Sequence, residues 1–314
     1  MNVSVVIPTY NRAHSLQHTL EALRAQTVPG CPTWELIVVN NNSSDDTHAV
    51  VNAATAAFPV ALHHVFEPRQ GINPARNAGI ERAKGSIIAF TDDDVLPAPD
   101  WVAMIDDRMQ RWSADVVGGR ILPKWGAPLP KWLDTSIPLQ ARLAIMSHDT
   151  VTRLTGSTGI PGVWGANMAF RRDIFERGHR FDPARGMVGE KLYRGEECHL
   201  IGELLLDGLA VVYDPALVVW HRISAERMRR AYFRRINFDV GEGEGRMSPS
   251  PTKRHFLGAP LYDYRRTLIA LGTWGTAALS RRQDAFESEV EFLRLLGRVW
   301  GLWKSYFIRR QREA

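Results

Sequence analysis

The 314-residue chain predicts an α/β protein: a Rossmann-like, mostly parallel sheet flanked by helices, followed by a helical, basic C-terminal extension. Three observations predict it. Four short apolar runs alternate with helix-like segments over residues 1–90, the order that builds a parallel sheet covered by helices. Each run ends in a polar loop. Charge is also split: residues 1–219 hold 20 Lys and Arg against 24 Asp and Glu, whereas residues 220–314 hold 19 against 10.

The elements follow in order. Val3 to Ile7 reads as a buried strand, and Leu16, Leu20 and Leu23 mark one face of a helix. Leu36 to Val39 is a second buried strand, followed by an Ala/Val-rich helical segment after Asp45. Ala61 to Phe66 is a third. Asn73-Pro74 then reads as a helix start, with Asn as N-cap and Pro at the first helical position. Ile87 to Phe90 is the fourth strand. Right-handed crossovers place the loops after all four strands on one edge. Residues 120–163, rich in Pro, Gly and Trp, read as a long excursion forming a flap over that edge. Regular structure is expected to return over Trp164 to Phe170. A helix follows Gly195, with Leu200, Ile201, Leu204 and Leu205 on one face and Asp207-Gly208 at its end. Ala210 to Tyr213 and Leu217 to Trp220 read as separate short strands. From Ser224 the chain is helical, with Gly241-Glu242-Gly243-Glu244-Gly245 as a flexible break.

Composition narrows the classes. The apolar fraction of 45% suits a globular chain with a sizeable core. The two cysteines, Cys31 and Cys198, make no metal-ligand pattern and point to a reducing, cytoplasmic setting. The N-terminus does not read as a secretory leader, and no apolar stretch is long enough to cross a bilayer.

Three consecutive carboxylates, Asp92-Asp93-Asp94, stand directly after the fourth strand. Adjacent negative charges repel unless something positive sits among them. A divalent cation clamping a phosphate would supply it; an acidic, helix-capping turn is the other reading. Four polar loops converging on one edge favour a site, because open α/β sheets bind ligands there.

The Pro8-Thr9-Tyr10-Asn11-Arg12 loop, the Asn40 to Thr47 loop, Ala75-Arg76-Asn77-Ala78-Gly79 and the Asp triplet occur in the order seen in family 2 glycosyltransferases. Trp164 to Arg172, Gly195-Glu196-Glu197, Trp220-His221 and Arg227-Met228 extend the likeness, so residues 3 to about 235 resemble that family. The resemblance implies a GT-A fold and an inverting, nucleotide-sugar-dependent transferase. It implies a domain over residues 1–222, with a nucleotide-sugar half of about 1–119 and an acceptor half of about 120–222; residues 223–314 form the extension. It implies that Pro8, Tyr10, Arg12, Asn40, Arg76, Asp92 and Asp93 bind the nucleotide sugar, Tyr10 by stacking on a uracil-type base. Asn40 stands where the family commonly has Asp, and an amide both donates and accepts. Asp94 and His221 would hold Mn²⁺ or Mg²⁺, imidazole favouring Mn²⁺. Glu197, with Glu196 second, would be the base that deprotonates an acceptor hydroxyl, and Trp164 and Asn167 would line the acceptor pocket. The partners implied are a nucleotide-diphosphate sugar, with uridine as the expected base, and a saccharide or lipid-linked acceptor. A nucleotidyltransferase is the alternative enzyme, but the first loop is not Gly-rich; a catalytically silent nucleotide-sugar binder is the alternative outside enzymes.

The last segment interleaves Phe292, Leu293, Leu296, Val299, Trp300, Trp303, Phe307 and Ile308 with Arg294, Arg298, Lys304, Arg309, Arg310 and Arg312. Such a stripe suits an interfacial helix on an anionic membrane or a helix packed on its own domain with snorkelling arginines. The concentration of Trp with cations, and a second apolar run from Leu268 to Leu279, favour the membrane, on its cytoplasmic face. Nucleic acid is not expected as a partner, since no nucleic-acid module is recognisable.

Overall fold

The computed structural model describes residues 1–27, 33–134, 136–155, 163–184, 196–247 and 255–313, without the side chains of Glu196, Arg309 and residues 311–313. Cys31 and Gly195 lie outside the described residues. Two compact units result. Among the described residues, the first comprises those of 1–124, 144–184 and 196–223, and the second those of 125–143 and 224–313.

The first unit is built on one sheet. Strands β1 (Val3–Thr9), β2 (Trp34–Asn40), β3 (Leu62–Phe66) and β4 (Ile87–Phe90) run parallel in the order β3-β2-β1-β4. The sheet continues through β8 (Met168–Arg171), β6 (Val116–Trp125), β9 (Val211–Ile223) and β5 (Val95–Pro97), with β7 (Thr152–Arg153) also on β9. β8 is antiparallel to both β4 and β6, and β5 is antiparallel to β9. The strands expected over Ala210–Tyr213 and Leu217–Trp220 are therefore one continuous strand: Asp214 bonds the Ala216 amide, and pairing resumes beyond it.

Period-2 alternation explains the two cores. Val3, Val5 and Ile7 point to one face. There they meet α1 (Ala13–Arg24) through Leu16, Leu20 and Leu23, α2 (Thr47–Thr55) through Val51, and Trp101 and Ile105 of α4 (Trp101–Arg111). Val6 points to the other face, toward Ala75 and Ile80 of α3 (Ile72–Arg82), Phe175 of α7 (Arg172–Glu176) and Leu200 and Leu204 of α8 (Glu196–Leu206). α3 begins at Ile72 after Gly71, whose φ of 142° lies outside the reach of most residues. Asn73 is thus inside the first turn rather than the N-cap; its amide donates to the Asp182 carbonyl and its Oδ1 accepts from Arg76.

One buried carboxylate anchors the sheet away from the polar edge. Glu35 on β2 accepts from Ser4 Oγ at 2.6 Å, from the Lys84 amide at 2.7 Å, and pairs with His63 at 3.2 Å. Burial pushes its carboxyl up, but these partners outweigh burial and hold it below the ordinary value. Glu35→Ala is expected to cost about 1–3 kcal/mol by stranding the Ser4 hydroxyl and the Lys84 amide. A group depressed on folding contributes fully above its unfolded pKa and loses that contribution as pH falls through the folded one. The gap in urea midpoint between the wild type and Glu35→Ala should therefore be widest at neutral pH and shrink in acid.

In the second unit, α5 (Lys131–Asp134), α6 (Ile137–Ala141), a 3₁₀ turn (Ala225–Met228), α9 (Arg230–Met247), the β10–β11 hairpin (His255–Phe256, Ala259–Pro260), α10 (Leu261–Leu279) and α11 (Ala285–Glu313) pack together. The excursion expected over residues 120–163 thus carries β6, α5, α6 and β7, and residues 156–162 lie outside the described residues. The Gly241–Gly245 segment is not a break. It lies inside α9, because its bare backbone sits against α11: a Cβ at Gly241 would lie 1.8 Å from the Arg294 carbonyl oxygen. α11 buries only part of its apolar surface inside this unit, and Leu296, Trp300, Phe307 and Ile308 stay exposed. Val290, Leu295, Val299 and Leu302 are buried, and Arg294, Arg298 and Lys304 pair with Glu244, Asp263 and Glu242. Among the described residues no helix is long and apolar enough to cross a membrane.

Candidate active site

The polar edge is assembled by hydrogen bonds between loops distant in sequence. After β1 the chain turns at Asn11, whose φ of 50° is left-handed, a conformation Asn tolerates better than most residues. Asn11 Oδ1 accepts from the Ser44 amide, and the Asn11 amide donates to Ser43 Oγ. Asp45 then accepts from the Ala13 amide at the start of α1 and from the Thr47 amide at the start of α2, satisfying donors that two helix ends leave open. These bonds outweigh its burial and hold its carboxyl low. Asn41 performs the same service for the loop before α3: it donates to the Glu67 and Arg69 carbonyls and accepts from Gly71 N and Gln70 Nε2.

The Asp triplet sits at the end of β4 beside β5 and β9. Pairing of Val95 with His221, and the bond from the Arg222 amide to the Asp94 carbonyl, bring Asp94 Oδ2 to 3.3 Å from His221 Nε2. Both residues are buried. Arg12 reaches the same carboxylate at 2.7 Å and Asp93 at 3.3 Å. Asp93 also accepts from Thr9 Oγ1 at 2.8 Å. Asp93 is thereby bound to the first loop on both carboxylate oxygens. These bonds tie the carboxylate, which the sequence assigned to the nucleotide sugar, to the first loop.

Electrostatics mark the cluster. Burial pushes Asp92 up, Asp94 and Glu197 add to the push, and Arg76 and His221 pull back. Burial likewise pushes Asp93 up to about 7 against the pull of Arg12, and the two carboxylates raise the Arg12 guanidinium further above its already high value. Glu197 stands in the first turn of α8, half-buried, close enough to Asp92 for its charge to register there. Glu196 begins α8, but its side chain lies outside the described residues. Arg76 is buried, lies over the Phe181 ring, and touches the turn between Trp164 and Asn167: a Cβ at Gly165 would lie 2.2 Å from Arg76 Nη2.

The remaining candidates divide. Tyr10 and Trp164 are half-buried, and Pro8 is buried at the end of β1. Asn40 is 4% exposed and its Oδ1 accepts from the Ser43 amide, so that oxygen holds the loop. The sequence placed Asn167 in the acceptor pocket. It is 1% exposed, accepts from Trp101 Nε1, and donates to the Arg120 and Leu217 carbonyls. Its amide bolts α4, β6 and β9 together and does not reach solvent. Thr9, Asn41 and Asp45 are the site-building residues that sequence reasoning missed; the only signal was their place in polar loops.

Among the described residues no three His, Cys, Asp or Glu side chains converge as a preformed metal cage. The chemistry of the donor set nevertheless suits a divalent cation. Three carboxylates face two guanidiniums, Asp92 and Asp93 are pushed up, and a carboxylate oxygen and an imidazole nitrogen stand side by side. Hard cations of the Mg²⁺ kind are commonly held by one or two carboxylates, with substrate phosphates and water completing the shell.

Comparison with known proteins bears on the family and the fold. The model of Glycosyl transferase family 2 matches residues 4–178. Glucosyl-dolichyl phosphate glucuronosyltransferase of Haloferax volcanii is 28% identical over 233 residues, 72% of this chain and 71% of that protein. Glycosyltransferase AglE of the same organism is 35% identical over 119 residues, 38% of this chain and 39% of that protein. Among solved structures, a mannosyltransferase from Pyrobaculum calidifontis, in complex with GDP-Man and Mn²⁺, superposes with a TM-score of 0.64 at 19% identity, covering 96% of this chain and 87% of that one. At that identity the likeness is one of fold.

Proposed function

The chain belongs to glycosyl transferase family 2 and transfers sugar from a nucleotide sugar, and on that premise we propose an inverting, metal-assisted reaction between a nucleotide-diphosphate sugar and the hydroxyl of a saccharide or lipid-linked acceptor. One observation supports the metal-assisted reading above others: Asp94, in the turn after β4, and His221 on β9 are buried and 3.3 Å apart. Uridine is the expected base, with Tyr10 as its stacking platform. The mannosyltransferase neighbour binds GDP-Man, so both nucleotides belong in the test.

In this reading Asp94 and His221 hold Mn²⁺ or Mg²⁺, and Asp92 faces the sugar nucleotide. The cation, when bound, neutralises charge on the departing diphosphate. Arg12 and Arg76 supply fixed positive charge on either side of the triplet. Asp93, Thr9 and Asn41 hold the loops in place. Glu197, in the first turn of α8, accepts the proton of the attacking hydroxyl.

Thermal shift tests the donor reading. A nucleotide at about a hundredfold its dissociation constant adds about 2.7 kcal/mol, so UDP or GDP with Mn²⁺ should raise the melting temperature and a chelator should remove the gain. Donor hydrolysis across a panel of UDP- and GDP-sugars then separates an enzyme from a silent binder. Glu197→Gln should retain the nucleotide-induced shift and lose about 10²–10⁴-fold in kcat, the range of general base catalysis. Unimpaired transfer by this variant would remove Glu197 as the base and direct attention to Glu196.

A further inference from the structure

Helix α10 turns an apolar face to solvent. Leu268 is 68% exposed and Leu279 89%, with Ile269 and Leu271 exposed beside them. No charged residue interrupts residues 268–279. The opposite side of the helix buries Asp263 and Ala277, so the exposed face is not a fraying end but the outer side of a packed helix. Positive charge gathers at both ends of the apolar segment: Arg265 and Arg266 precede it, and Arg281 and Arg282 follow it. Arg282 is paired with exposed Asp284, and Arg266 lies over the Tyr262 ring, which leaves the balance at each end positive.

We propose that this face of α10 docks on an anionic lipid surface, the helix lying in the plane of the interface. An apolar face of this kind, rimmed by charge, marks an interaction surface. Its length decides against insertion: 12 residues of helix rise about 18 Å, well short of the roughly 30 Å hydrocarbon core. Leucine and isoleucine would enter the acyl boundary while the arginines extend outward to lipid phosphates. A second copy of the chain fits the same face less well. Antiparallel docking would set Arg265 and Arg266 against the other copy's Arg281 and Arg282, and parallel docking would set each pair against itself, cation against cation either way. The sequence pointed to this apolar run beside the α11 stripe, of which Leu296, Trp300, Phe307 and Ile308 are also exposed. The proposal does not depend on the transfer reaction.

The test uses the full-length protein and co-sedimentation with phosphatidylcholine vesicles, with and without phosphatidylglycerol, at low salt. The wild type should partition onto the anionic vesicles and be released by salt. Leu268→Glu/Leu279→Glu should bind at least about tenfold more weakly with an unchanged melting temperature, since both side chains are exposed. Arg281→Glu/Arg282→Glu should lose the preference for anionic lipid. Absence of the wild type from anionic vesicles, or equal binding by the leucine variant, would overturn the proposal. So would a dimer in sedimentation velocity that the leucine substitutions dissolve, which would assign the face to a second copy. The nucleotide-induced thermal shift should be the same in all variants, so failure here is distinguishable from failure of the donor reading.

Discussion

Asp94→Asn is expected to abolish the metal-dependent part of nucleotide binding and to lower kcat by about 10²–10³-fold, the usual cost of removing one group that stabilises developing charge. The substitution keeps the shape of the side chain and removes its charge. Asp94 Oδ2 is the point where Arg12 at 2.7 Å and His221 at 3.3 Å meet. Without that charge, a cation held by Asp94 and His221 would lose its carboxylate partner. The comparison that gives the result meaning is Asp93→Asn. Asp93 lies one residue away in the same buried cluster, but its oxygens are committed to Thr9 and Arg12. It should lower thermal stability while leaving the gain from Mn²⁺ with nucleotide in place. Titration calorimetry with Mn²⁺ and nucleotide separates the two. If Asp94→Asn binds metal and nucleotide as the wild type does, or if Asp93→Asn loses the metal-dependent gain equally, the division of labour within the triplet is wrong.

The parallel half of the sheet was legible because its signals are local. Val3–Thr9, Trp34–Asn40 and Ile87–Phe90 are mostly apolar runs bounded by polar loops, and a strand buried on both faces has that signature. The gathering of the loops on one edge followed from the handedness of the crossovers. What escaped was non-local. Asp45 capping α1 across 32 residues, Asn41 holding the loop before α3, and Asn167 joining Trp101 to β6 and β9 are polar side chains whose partners no periodicity reveals. A buried Asn and a substrate-binding Asn look alike in a string of letters; only burial and partners distinguish them. The break expected at Gly241–Gly245 fails for the opposite reason. Glycine disfavours a helix by about 1 kcal/mol per residue, and local propensity argued for a gap, but tertiary packing required the absence of side chains there.

That packing makes Gly241→Leu and Gly245→Leu the most damaging substitutions expected in the C-terminal unit. On α9, Gly241 and Gly245 are spaced i, i+4; on α11, Gly297 and Gly301 are spaced the same way. A Cβ at Gly245 would lie 2.2 Å from the Arg298 carbonyl oxygen, one at Gly297 2.2 Å from that of Phe238, and one at Gly301 2.1 Å from that of Glu242. Each obstacle is backbone, which cannot rotate aside as a side chain would. The two helices must separate to admit even a methyl group, and separation exposes a further cost. Glu242 is 1% exposed and pairs with Lys304 at 3.0 Å, and Arg294 holds Glu244 across the same seam. Overpacking costs typically about 1–3 kcal/mol, and loosening these half-exposed pairs adds up to about 1 kcal/mol each. Gly241→Leu should therefore destabilise by about 3 kcal/mol or more, read as a lower urea midpoint. The same residue type on α10 supplies the control, since added Cβ atoms at Gly272 and Gly275 meet nothing within 4 Å. Gly272→Ala and Gly275→Ala should be neutral or stabilising by up to about 1 kcal/mol, because alanine favours the helix. Opposite signs for the two helices would establish that α9 and α11 touch backbone to backbone. Equal, small effects from Gly241→Ala and Gly272→Ala would show that the seam is open enough to take side chains.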